Sequence, residues 1–366
     1  MRVLLLVTGG RGGSDFFQGL LDEHEEILQI PSVLRVNDEF LRIFNTDDNY
    51  EISERFINYN PVIFDSRKSK IERHNRLGKN KDEFYTVSKK KFKMFFNRLS
   101  NKKKQSRLNI LTNLFKAYYL ARGKKIDKMK ILLLNTHTIE LTKKFLKIEK
   151  IKNLSIIHTM RYPINALTSP INNWLKYKSG KFFFPKDLYF QLDLAFNGLS
   201  DLVEMNKKVY VVLLENLIQK RAKVMKDFCR INKIKFSKKL LNCTYLGKQW
   251  WGDEISGRWL GKSVKLKNNS KKSNLFFDKD LIYFYTLSEN IIKKYFNEKY
   301  KYLSAKRKNF CLSPTKAEIL VWKNSFKHLK FKHILSIPYF YLIRVIFLNA
   351  FFIKNFKLPY SIGSNK

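Results

Sequence analysis

The residues Thr8-Gly9-Gly10-Arg11-Gly12-Gly13-Ser14-Asp15-Phe16-Phe17 bring four glycines, one cation and two hydroxyls together just after the apolar run Val3–Val7. Glycines let a backbone fold back and aim its N–H groups inward. A helix beginning there adds partial positive charge, and Arg11 adds a full one, so the segment reads as a cradle for a phosphate. It is not a Walker A loop, because GxxxxGK[ST] is absent and no Lys precedes Ser14. A plain glycine turn is the bland alternative. Asp15 suits a helix start, but it opposes a phosphate unless its side chain turns away.

Three further clusters follow apolar runs. His137, in Asn135-Thr136-His137, can act as a general base near neutral pH or as a structural hydrogen-bonder. Arg161 follows His158-Thr159-Met160 and precedes Pro163, a residue suited to a first helical turn. Ser169 stands eight positions after Arg161, about two helical turns on, so the pair can grip a second phosphate. Otherwise Arg161 makes an ordinary ion pair. Glu215, in Glu215-Asn216-Leu217, caps a helix or holds a ligand-binding Arg. The turn Gly247-Lys248-Gln249-Trp250-Trp251-Gly252-Asp253 either stacks on a purine or packs as a loop.

The elements that must position these residues are four short apolar runs: Val3–Val7, Ile131–Leu134, Leu154–Ile157 and Val209–Leu214. None alternates with polar residues, which predicts strands buried on both faces of a parallel sheet. Helical periods lie between them, at Phe16, Phe17, Leu20 and Leu21 and again over Ile139–Ile148. The chain therefore predicts an α/β fold, a parallel sheet flanked by helices, with ligands beyond the carboxyl ends of the strands. A Lys-rich helical insertion is expected over about 66–130, with Phe92, Phe95, Phe96, Leu111, Leu114, Phe115 and Tyr118 as core candidates. A basic linker, Lys262 to Asn274, precedes a helix at Leu281–Phe296. Residues 1–305 are read as the main domain and 306–366 as a basic, aromatic C-terminal extension.

The 366 residues carry 72 Lys+Arg against 31 Asp+Glu, a net charge of +41, with 44% hydrophobic residues and 31 Phe. That apolar content excludes a disordered polyelectrolyte. Three cysteines exclude a disulfide scaffold and suit a reducing cytosol. The charge favours an anionic partner such as nucleic acid, acidic lipid, a phosphate or sulfate ligand, or an acidic glycan. Most of it is Lys in a chain also rich in Asn, Ile and Phe, so a solvated basic surface explains much of it. The fewer Arg carry more information, because guanidinium reads phosphate bidentately. No secretory leader is read at the N-terminus. Ile334–Ile353 is apolar, interrupted by Pro338, Arg344 and Asn349, and flanked by Lys330, Lys332, Lys354 and Lys357. Its central Arg argues for a helix in the membrane interface, or packed on the protein's own core, over one that spans the bilayer.

Together these residues resemble the sulfotransferases that use 3′-phosphoadenosine 5′-phosphosulfate (PAPS), including bacterial and carbohydrate members. Arg11-Gly12-Gly13-Ser14-Asp15 matches that family's first loop, with Asp15 in place of the usual hydroxyl. Arg161 and Ser169 reproduce its 3′-phosphate pair. Asn135-Thr136-His137 matches its Lys-Thr-His at the last two positions, and Glu215-Asn216-Leu217 its Glu-Asp-Leu. Leu21-Asp22-Glu23-His24 through Gln29-Ile30-Pro31 adds a further likeness. The resemblance implies a P-loop-NTPase-like three-layer sandwich and sulfuryl transfer from PAPS to a hydroxyl or amine, with a glycan or lipid-linked glycan as the first candidate acceptor. It implies His137 and Arg11 as catalytic residues, with Arg11, Gly12, Gly13, Ser14, Asp15, Phe16, Arg161 and Ser169 on PAPS. No metal and no specific nucleic acid is expected, and the location is cytoplasmic, at the inner face of the membrane if 334–353 makes contact there. The rival readings are a P-loop-like nucleotide kinase or hydrolase, and a non-catalytic binder of anionic membranes or glycans.

Overall fold

A computed structural model describes residues 1–9, 12–69, 74–100, 105–168, 171, 198–205, 208–252, 275–296, 312–325, 331–353 and 358–363. Arg11, Ser169, Asp253 and the linker Lys262–Asn274 lie outside the described residues.

Six strands form one sheet: β1 (Arg2–Thr8), β2 (Ile27–Leu28), β3 (Ile131–Thr138), β4 (Leu154–Met160), β5 (Val209–Leu213) and β8 (Tyr360–Ile362). A two-strand hairpin, β6 (Thr244–Tyr245) and β7 (Lys248–Gln249), stands apart. The sheet order is β2-β3-β1-β4-β5-β8, and every neighbouring pair runs parallel. This is the parallel α/β sheet flanked by helices that the continuous apolar runs predict. Its central strands are largely buried: Leu4, Leu5, Leu6, Ile156, Ile157, Val211 and Val212 are all fully covered.

The predicted runs were shorter than the strands. β3 continues through Asn135, Thr136 and His137, and β4 continues through His158 and Thr159. Polar residues at these strand ends carry no apolar signal, although backbone pairing extends over them. Leu214, in contrast, begins the helix Leu214–Gln219 instead of ending β5. The terminal strand β8 pairs with β5, so the chain returns to the sheet near its C-terminus. Three residues are too few to announce a strand.

The helices α1 (Ser14–Leu20), α2 (Asp38–Arg42), α3 (Asn49–Tyr59), α4 (Pro61–Phe64), α5 (Lys89–Leu99), α6 (Arg107–Ala121) and α7 (Ile139–Ile148) follow in order. The helices α2 to α6 form one group between β2 and β3. Its core is aromatic: Phe56, Phe64, Phe92, Phe115 and Tyr118 pack mutually, with Phe64 and Phe92 centroids 4.9 Å apart. Such edge contacts add about 0.5–1.5 kcal/mol per pair beyond area burial. The Lys89–Lys91 run lies on the exposed face of α5, whose inner face presents Phe92 and Phe96.

Candidate active site

The strand order defines where a ligand can sit. From β1 the chain goes to β2 and β3 on one side and then to β4 and β5 on the other. The carboxyl ends of β1 and its neighbours therefore flank a crevice at a topological switch point. The turn after β1, the end of β3 and the end of β4 meet there.

The β1 turn is packed from both sides. A Cβ on Gly12 would lie 2.5 Å from the Thr159 carbonyl oxygen and from Thr8 Oγ1. The Gly12 N–H donates to Thr8 Oγ1 (3.2 Å), and that hydroxyl donates to the Thr159 carbonyl (3.2 Å). The Gly12 amide thus points into the protein, leaving the amides of Gly13 to Phe16 for an anion. Gly13 caps α1 at φ 86°, a conformation that only glycine adopts at little cost, and a Cβ there would come 2.7 Å from Leu214 Cδ1. So the turn touches the end of β4 through Thr159 and the start of the helix after β5 through Leu214. Ser14 is buried at the start of α1, where first-turn N–H groups have no intrahelical acceptor. Phe16 is a core residue under the Arg221 guanidinium (5.2 Å), so only its backbone remains for a ligand.

On the β3 side, the pairing with β1 slips between Leu6↔Asn135 and Val7↔His137, leaving Thr136 as an extra residue. Such a bulge re-aims the side chain that follows it. His137 takes φ 61°, the left-handed region that a non-glycine residue adopts only under constraint. The constraint is visible: the His137 N–H donates to Asn135 Oδ1 (3.0 Å), and Asn135 Nδ2 donates to Gln18 Oε1 (2.8 Å) on α1. Asn135 is buried, as is Gln18. The bulge turns the imidazole toward the β1 turn, with Nδ1 3.4 Å from Ser14 Oγ and 3.9 Å from Asp15 Oδ1. Asp15 Oδ1 also accepts from Asn135 Nδ2 at 3.5 Å, so the carboxylate has a partner at the β3 end.

Ser14, His137 and Asp15 are the ingredients of a hydrolytic triad, but the geometry excludes one. A triad places the nucleophile and the carboxylate on opposite ring nitrogens, whereas here both face Nδ1. The imidazole is partly exposed, and its Nε2 makes no hydrogen bond among the described residues. It is the free end of the ring.

On the β4 side, Arg161 is half-buried two positions after Thr159, the residue in contact with the glycine turn. Glu215, in the first turn of the helix after β5, accepts the Tyr162 N–H (3.0 Å). Burial raises its carboxyl above the ordinary carboxylate range; the Tyr162 amide and the nearby Arg161 charge pull it partly back. Glu215 thus ties the residues after β4 to the helix that follows β5. The Arg161–Ser169 pair is described only at Arg161.

The aromatic turn resolves as packing. Trp250 is buried beside Tyr245 and His74, and Trp251 Nε1 donates to the Gly78 carbonyl (2.6 Å) beneath Lys81. Sequence reasoning undervalued Asn135, treating it only as a departure from a motif, and did not consider Gln18. An amide two residues before a histidine at a strand end was the available signal. No group of His, Cys, Asp or Glu suited to a metal is found among the described residues.

Fold and site together define a parallel-sheet α/β protein with a polar crevice where the chain reverses its strand order. No family model and no curated protein matches the chain. Among solved structures it is similar to the sulfotransferase domain of the Synechococcus PCC 7002 olefin synthase, at 11% identity over 98% of this chain and 95% of that one, with a TM-score of 0.37. It is also similar to the sulfotransferase domain of the curacin biosynthetic pathway, at 12% identity over 89% of this chain and 98% of that one, again with a TM-score of 0.37. At such low identity and score, activity has to be argued from this chain's own residues.

Proposed function

We propose that the protein is a sulfotransferase that moves a sulfuryl group from PAPS to a hydroxyl or amine. The observation that carries this reading is His137 Nδ1 lying 3.4 Å from Ser14 Oγ, which sets a candidate base against the head of the phosphate turn. Support comes from the donors around it. The first-turn amides from Gly13 to Phe16 and the Ser14 hydroxyl suit one phosphate, and Arg161, on the neighbouring strand end, suits a second. Asp15, the one unfavourable group, is engaged by Asn135.

When bound, PAPS supplies an activated sulfuryl group whose departure leaves negative charge on a phosphate oxygen. Fixed donors aimed at that charge lower the barrier. In this reading the α1 amides and Ser14 stabilise the leaving oxygen, with Arg11 as a further cation. Arg161 and Ser169 hold the 3′-phosphate. His137, anchored through Nδ1, takes the acceptor's proton on Nε2, a role worth about 10²–10⁴-fold in rate. The acceptor is assigned to a glycan or lipid-linked glycan, in keeping with the cationic surface. The buried free thiols of Cys229 and Cys243 suit a reducing cytoplasm.

The test is calorimetric titration with 3′-phosphoadenosine 5′-phosphate and with ATP, each with and without Mg²⁺. A strong preference for the bisphosphate, independent of Mg²⁺, is expected. Mg²⁺-dependent preference for ATP would overturn the reading in favour of a kinase or hydrolase.

A further inference from the structure

The helix Phe331–Ile353 presents two unlike sides. Arg344 is fully buried and forms a bidentate ion pair with Glu318 of the helix Lys316–Ser325; its Nη2 lies 2.9 Å from Glu318 Oε2 and 3.0 Å from the Ser313 carbonyl. Leu348 is also fully buried. These contacts fix the rotation of the helix about its axis. At 3.6 residues per turn, Leu335, Tyr339, Leu342 and Ile346 fall in one row, on the side opposite Arg344. They are 70, 62, 57 and 58% exposed. Scattered exposed apolar residues are ordinary, but a continuous row of four large ones on one helix marks a contact surface.

Charge decides between its occupants. A second copy would bring another +41 against the same surface, and self-repulsion opposes that association. An anionic surface is attracted instead. The sequence brackets the helix with Lys327 and Lys330 before it, Lys332 at its start, and Lys354 and Lys357 after it, a charge pattern that lets a helix lie in a headgroup layer with aliphatic side chains inserted. Among the described residues no helix is long and apolar enough to cross a membrane.

We propose that the Leu335–Tyr339–Leu342–Ile346 row seats the protein on an anionic lipid surface, with Arg344–Glu318 as the internal clamp that keeps the row facing outward. This inference stands apart from the sulfotransferase reading. If both hold, the acceptor is delivered at the membrane.

The experiment is flotation of the full chain with vesicles of 30% phosphatidylglycerol in phosphatidylcholine and with pure phosphatidylcholine vesicles. The comparison variant is Leu335→Glu/Leu342→Glu/Ile346→Glu. Its thermal unfolding and its binding of 3′-phosphoadenosine 5′-phosphate are measured alongside, so that a fold defect or a failed enzyme reading is separated from a docking defect. The expected result is binding to the anionic vesicles that weakens with added salt and falls at least tenfold in the folded variant. Equal binding to neutral vesicles, binding unchanged in the variant, or no vesicle binding at all would overturn the proposal. So would a concentration-dependent dimer that the variant abolishes, which would assign the row to a second copy of the chain. Should the variant fail to fold, Tyr339→Glu alone, at a single exposed position, replaces it with the same outcomes.

Discussion

His137 sits at φ 61°, and the strain this implies can be measured apart from the ring's chemistry. The comparison is between His137→Ala and His137→Gly. Both remove the imidazole and its contact with Ser14, so their difference isolates the backbone. A left-handed conformation costs an L-residue about 1–2 kcal/mol. Glycine escapes that cost but loses about 0.4–1 kcal/mol through the greater freedom of its unfolded chain. The remainder, about 1 kcal/mol, should favour the glycine variant. Urea titration followed by tryptophan fluorescence reads it as a shift of midpoint at constant slope, which compares more safely than extrapolated values. Turnover in a sulfuryl-transfer assay should fall about 10²–10⁴-fold in both variants, with binding of 3′-phosphoadenosine 5′-phosphate retained. The more stable variant would then also be an inactive one, as expected where backbone strain serves function. A glycine variant no more stable than the alanine variant would show that residue 137 stores no strain. Undiminished turnover in the alanine variant would remove His137 from the reaction.

Arg161→Ala should weaken 3′-phosphoadenosine 5′-phosphate much more than adenosine 5′-phosphosulfate, read by calorimetry; equal losses would contradict its assignment to the 3′-phosphate. His158, buried in β4 with neither ring nitrogen hydrogen-bonded among the described residues, is pushed down to about 4 by desolvation. The unfolded chain therefore takes up this proton near pH 6.5 and the folded chain does not, so stability falls as pH drops from 6.5 toward 4. Asp22, pushed up to about 6 by burial, works in the opposite sense over part of that range, so the histidine is best isolated by difference. Relative to the parent chain, His158→Leu should gain about 2 kcal/mol between pH 7.5 and pH 5, from urea midpoints; an unchanged gap would show that the ring titrates normally. Glu318→Ala strands the buried Arg344 charge and should cost about 3–5 kcal/mol, whereas Glu318→Leu/Arg344→Met should recover most of it. A double variant as unstable as the single one would contradict the clamp.

Much of the architecture was legible in the chain. Apolar runs at Val3, Ile131, Leu154 and Val209 that do not alternate cleanly with polar residues announce buried parallel strands, because strands covered on both faces dispense with alternation. The glycines after β1 announce a turn, and their positions follow from packing against Thr159 and Leu214. What the sequence could not announce depends on partners distant along the chain. The β3 bulge arises from pairing between residues about 130 positions apart, and it turns His137 toward Ser14. Asn135 holds that turn only because Gln18, on a helix far earlier in the sequence, is there to hold Asn135. In the same way, Arg344 reads in sequence as an interruption of an apolar segment. The tertiary pairing with Glu318 neutralises it, sets the helix's rotation and leaves the row from Leu335 to Ile346 facing outward. Local residue types decide which elements form, since apolar spacing and turn chemistry act over a few residues. Which polar groups meet, and which apolar ones stay uncovered, is decided by packing between elements.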